Sequence, residues 1–105
     1  MKKAEFETIL LLYAARIDGN LHPEEMEQII EKSSPETFRK VKKVFDKMGD
    51  IEIIEYIREN KILYASTEID RKNLINDIRS VIEADERLTV MERYLCQKIE
   101  KILNS

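Results

Sequence analysis

The chain has 105 residues, 43% of them hydrophobic and 37% charged, with a formal net charge of −3. That length holds one domain with a real core but not two, and the mixture excludes a disordered chain. With no broad basic excess, nucleic-acid binding has no compositional support, and two glycines with two prolines argue against a many-turned all-β fold. The single cysteine, Cys96, permits neither an internal disulfide nor a zinc cluster, which fits a reducing cytoplasm. Ile9–Leu12 follows two lysines in the manner of a leader, but Glu5 and Glu7 interrupt the approach. Arg16 and Asp18 occupy the place of a cleavage site, so this stretch is expected to remain as a helix. The run is also too short to span a bilayer.

The first helix is expected over Lys3 to Ile17. Phe6, Ile9, Leu10, Tyr13, Ala14 and Ile17 recur at helical spacing, and Leu11, Leu12 and Ala15 widen the arc. So wide an arc predicts a helix buried on most sides, at the centre of the fold. Gly19 follows where a left-handed C-terminal residue would stand. A second helix starts at His22-Pro23, with proline at the first helical position and Glu24 and Glu25 at the positive end of the dipole. Met26, Ile29 and Ile30 face inward, and Ser33 and Ser34 end it. The third restarts at Ser34-Pro35-Glu36 with serine as cap. Its stripe is Phe38, Val41, Val44, Phe45 and Met48, and Gly49 stops it.

Asp50 is expected to cap a fourth helix from about Ile51 to Glu59, with Ile53, Ile54 and Ile57 inward and Ile51 and Tyr56 flanking. Asn60 and Lys61 read as its ending, and Ile62 to Ala65 as a packed connector. A fifth helix begins near Ser66-Thr67, where Thr67 and Asp70 have capping-box spacing. It carries Leu74, Ile75, Ile78, Val81 and Ile82 towards Ala84. Thr89 with Glu92 forms a capping box for a sixth, continued by Met91, Tyr94, Leu95, Ile99 and Ile102. The fold class is therefore all-α: a single-domain bundle of about six helices.

One device appears twice. Asp18, Leu21 and Glu25 have the same spacing as Asp85, Leu88 and Glu92, an internal pseudo-repeat of helix, Asp turn and helix. The first copy, Asp18-Gly19-Asn20-Leu21-His22-Pro23-Glu24-Glu25, with its degenerate partner near the other end, resembles the tellurite-resistance TerB-like family. Related domains occur in DnaJ-like co-chaperones anchored to membranes. The resemblance covers essentially the whole chain. It implies an internally duplicated helical domain acting in stress response, with metal binding and membrane-linked protein complexes as its setting. The second copy departs from the pattern: Glu86 replaces Gly, and Val90-Met91 replaces Pro-Glu.

The acidic pairs have two readings. An Asp at a helix C-terminus faces the negative end of the dipole, a placement unfavourable by about 0.3 to 1 kcal/mol. One compensation is capping, in which Asp18 and Asp85 accept backbone N–H bonds from the next helix while Glu25 and Glu92 reach back. The other is a cation: if the loops meet, Asp18, Glu25, Asp85 and Glu92 offer hard oxygen ligands for Ca²⁺ or Mg²⁺. An EF-hand is excluded, because Pro23 falls where its glycine belongs and Ile29 where its bidentate Glu belongs. His22, the only histidine, reads as an exposed or capping residue, Cys96 as a core thiol, and Tyr13, Tyr56, Tyr64 and Tyr94 as packing residues.

The local charge bias lies on the third helix, where Arg39, Lys40, Lys42, Lys43 and Lys47 form an outer face. This is either a solvated face or a docking surface for an acidic protein or anionic headgroups. Without aromatic interleaving it does not suit single-stranded nucleic acid. No phosphate loop, nucleophile set or cofactor fingerprint points to an enzyme. The leading expectation is a non-catalytic TerB-like module that binds partner proteins and a divalent cation, in the cytoplasm or peripheral to the inner membrane. The alternatives are a structural adaptor whose acidic motifs are turn locks and, less well supported, a hydrolase using the acidic cluster.

Overall fold

A computed structural model describes residues 2–15, 22–82 and 90–104, with side chains for 3–15, 22–82 and 93–104. The described residues form six helices and no strand: α1 (Lys2–Ala15), α2 (Pro23–Lys32), α3 (Pro35–Phe45), α4 (Asp50–Tyr64), α5 (Glu68–Ile82) and α6 (Val90–Asn104). The all-α bundle expected from periodicity is what the chain adopts. Ile17, Gly19, Ala84 and Thr89 lie outside the described residues.

The arrangement follows from α1. Phe6 and every residue from Thr8 to Ala15 are buried, and α1 packs against each of the other five helices. A helix that is apolar almost all round can satisfy its surface only by being surrounded. The resulting body measures 31 × 29 × 25 Å, nearly equal in all directions. Thr8 is the polar exception on this helix. Its Oγ1 donates to the Ala4 carbonyl at 2.7 Å, which lets a hydroxyl be buried without an orphaned group. Phe6 lies against two rings of α4, Tyr56 at 6.1 Å and Tyr64 at 5.5 Å between centroids. The rest of the core comes from α2 to α6, with Ile29, Phe45, Ile53, Ile57, Ile78, Val81 and Ile99 among its most deeply buried residues.

Helix starts follow the local chemistry. Proline begins both α2 and α3. Ser34 caps α3, its Oγ accepting the Thr37 N–H at 3.1 Å. Thr67 does the same for α5, its Oγ1 accepting the Asp70 N–H at 3.1 Å.

Four expectations are corrected. α3 ends at Phe45, four residues before Gly49, because the Lys47 and Met48 amides bond to carbonyls three residues back and tighten the chain into a turn. Gly49, not Asp50, is the N-cap of α4, and Asp50 is its first residue. α4 does not stop near Glu59. The Asn60 side chain donates to the Tyr56 carbonyl at 2.8 Å and Lys61 Nζ to the Ile102 carbonyl of α6 at 2.9 Å, so both residues continue the helix. The expected packed connector is therefore the last turn of α4, and Ile62 and Leu63 stand 71% and 69% exposed on it. Lastly, Val44 and Tyr94, read as inward, are 56% and 67% exposed, and Ile51 is exposed as well. Among the described residues, no helix is long and apolar enough to cross a membrane.

Candidate interaction surface

The two acidic motifs reach the structure unequally. Asp18 and Asp85 lie outside the described residues, as does the side chain of Glu92. Glu25 is described. It sits in the first turn of α2, completely buried, and its Oε1 accepts the backbone N–H of His22 at 3.2 Å. That is the return half of a capping box: a carboxylate turned back on its own chain at the positive end of a helix. This bond engages one of its two carboxylate oxygens, Oε1. Among the described residues, no three His, Cys, Asp or Glu side chains gather where they could hold a metal.

The basic face of α3 is present in space. Arg39, Lys40, Lys43 and Lys47 are exposed and Lys42 is half-buried. Two of the five are engaged with the protein's own acids. Lys40 Nζ lies 3.1 Å from Glu5 of α1, and Lys42 Nζ lies 2.8 Å from Asp46 one turn on. Pairs as exposed as these contribute at most about 1 kcal/mol each. Arg39, Lys43 and Lys47 project their charge outward.

Beside this face lies an apolar groove that periodicity alone does not reveal. Val41, Val44 and Met48 form one wall, Tyr56 of α4 stands opposite, and Ile9 of α1 provides the floor. The cavity is about 350 Å³. Lys40, with Glu5 3.1 Å from its Nζ, and Glu52 complete the lining. Glu52 is anchored, with Oε1 accepting the Gly49 N–H at 3.3 Å. Burial and the nearby Glu5 carboxylate push the Tyr56 phenol above its ordinary value, so it stays neutral and offers a ring to the groove. The sequence did carry one signal of this site. Val44 is the one residue of the α3 stripe that is followed three residues later, and preceded by one and by four, by a lysine: Lys47, Lys43 and Lys40.

Other chemically active groups are accounted for locally. Cys96 is buried, as its place at the edge of the α6 stripe predicts. The Glu7 carboxyl is pushed up chiefly by burial; Lys3 opposes this, while Asp77 and Asp70 add to it. Lys3 approaches Asp70 at 4.0 Å and Lys32 approaches Asp77 at 3.3 Å, so these acids have their own cations.

No protein-family model, curated protein or solved structure matches this chain.

Proposed function

We propose that this protein is a non-catalytic, TerB-like interaction module of a bacterial stress-response or envelope-associated complex, binding a protein partner through the outward side of α3. The observation that carries the reading is the juxtaposition on that side. Val44, more than half exposed, lines an apolar groove together with Lys40, and Arg39, Lys43 and Lys47 are exposed on the same helix and the turn after it. Val44 and the groove it lines supply an apolar anchor beside charged residues, the combination that protein interfaces show. The sequence motif from Asp18 to Glu25 and the six-helix architecture support the family element of the proposal.

Within this reading Glu25 works as a turn lock that sets the start of α2, the role its bond to His22 favours. The family resemblance also implies a divalent cation at Asp18, Glu25, Asp85 and Glu92, of which only the Glu25 side chain is among the described residues, and no step of the proposal passes through a metal. An amide NMR titration of chelator-treated protein with Ca²⁺, Mg²⁺ and Zn²⁺ tests that assignment. Saturable shifts confined to residues 18–25 and 85–92 would overturn the turn-lock role.

The partner surface is tested with a photo-crosslinking residue placed in turn at Val44 and at Ser80, an exposed position on α5. The expected result in the native host is a discrete adduct from position 44, none from position 80, and loss of that adduct in the triple variant R39E/K43E/K47E. Equal adducts at both positions, or none at 44, would overturn the proposal.

A further inference from the structure

The groove has walls of opposite charge, and this identifies what it takes. On α3, Lys40 and Lys43 lie outward of Val44, and Lys47 follows in the turn, all three exposed. On α4, residues three and four apart share a face. Glu52 and Glu59 therefore lie beside Tyr56, with Glu55 on the same outward flank, and all three are exposed. The charged lining of the trough is Lys40, paired with Glu5, and Glu52. Helical spacing extends the Lys40 side to Lys43 and the Glu52 side to Glu55 and Glu59, giving a rim of net basic charge on α3 and an acidic one on α4.

We propose that this groove binds one amphipathic α-helix of a protein partner, laid apolar side down, with acidic residues along the flank that meets α3 and basic residues along the flank that meets α4. The inference rests on the interaction-module reading above and names the partner's chemistry. Charge complementarity selects this occupant over the others considered. An anionic membrane would be attracted by Lys43 and Lys47 but repelled by Glu55 and Glu59 on the opposite rim. A uniformly acidic segment would meet the same repulsion. A helix has two polar flanks separated by its apolar stripe, and only such a ligand can answer both rims at once. Its apolar residues at i, i+3, i+4 and i+7 would fill the trough against Val41, Val44, Met48 and Tyr56.

Opposite rims carry a second consequence. Turning a helix end for end exchanges its two flanks, so the rims determine which way the bound helix runs. Either placement of acids and bases on a peptide can therefore bind, but in opposite directions.

The test uses three stapled peptides of about fifteen residues, long enough to hold a helix, sharing one apolar stripe. One has Glu on one flank and Lys on the other, one has Glu on both, and one has Lys on both. In low salt the mixed peptide is expected to bind about fivefold or more tighter than either single-sign peptide, with the advantage shrinking as salt screens the rims. Amide shifts should centre on Val41, Val44 and Tyr56. Val44→Asp should abolish binding while leaving the thermal midpoint nearly unchanged, because Val44 is already more than half exposed. A spin label at the mixed peptide's N-terminus should broaden one end of the groove, and the quadruple variant K43E/K47E/E55K/E59K should move the broadening to the other end.

Equal affinity of the all-Glu peptide, unaffected by Val44→Asp, would overturn the groove proposal while leaving α3 as an interaction face. So would α3 shifts induced by phosphatidylcholine–phosphatidylserine vesicles in place of the peptide. Absence of binding by any of the three peptides would also overturn it. If the crosslink at position 44 still formed in cells, only the helical occupant would be lost; if it also failed, both readings would fall.

Discussion

α1 and α3 have similar lengths and opposite designs. α1 is apolar almost all round, and its residues from Thr8 to Ala15 are all buried. α3 presents a narrow stripe of Phe38, Val41 and Phe45 to the core and gives the rest of its surface to charge. The difference separates two tasks. Substitutions in α1 should act on folding, because every neighbouring helix rests on it. Substitutions on the outer side of α3 should act on association, because little of the fold depends on them.

The strongest test of that contrast is Phe6→Ala. Phe6 is wholly buried and lies against both Tyr56 and Tyr64, so its removal should cost about 3 to 5 kcal/mol in denaturant unfolding. A loss under about 1 kcal/mol would mean that α1 is not the element on which the others depend. Next is Glu25→Ala, which removes a buried acceptor from the His22 N–H and should cost about 1 to 3 kcal/mol. Glu25→Gln retains an acceptor oxygen and should recover part of that loss. Ser34→Ala removes the cap of α3 alone, and about 1 kcal/mol is expected, a drop of about 4 to 8 °C in Tm.

The pH dependence of Glu7 gives a smaller effect within α1. Burial raises its carboxyl pKa in the folded state. Its contribution to stability is therefore full below the unfolded-state value and is lost as pH rises through the folded one. Glu7→Gln should raise Tm at pH 7, and the gap between variant and parent should close below about pH 4. A gap that widened in acid would contradict the burial assigned to this group. The smallest effect is expected at Lys43→Glu, within about 0.5 kcal/mol on stability, while crosslinking at position 44 falls sharply. A large stability loss there would erase the distinction between the two helices.

Local chemistry made most of the fold legible. Pro23, Pro35, Ser34 and Thr67 mark helix starts because each one's structural effect is confined to a single turn. The wide arc from Phe6 to Ala15 announced the central helix for the same kind of reason, since burial on all sides leaves no room for a polar stripe. What escaped detection depends on distant partners. Asn60 and Lys61 look like a stop until one side chain is seen returning to Tyr56 and the other reaching Ile102 of α6. Val44 fits the α3 stripe by spacing, but it stands at the mouth of a trough that exists only because α1, α3 and α4 converge there. Of the expected cation ligands, only the Glu25 side chain lies among the described residues, with Oε1 accepting the His22 N–H. The lysine face was visible as a charge bias, but its acidic counterpart on α4 was not, because opposition across a groove has no signature along one chain.

The central position of α1 also bears on how the protein is made. It emerges from the ribosome before the helices that cover it, and its contacts with α5 and α6 join residues far apart in the chain. Until those segments follow, the nascent chain carries a naked oily rod from Ile9 to Ala15 with nothing to close over it. Folding must then wait for most of the chain, and that interval is when aggregation competes most effectively. A nascent chain halted after Ile82 should remain protease-sensitive and bound to chaperones, while one extended past Asn104 should escape both.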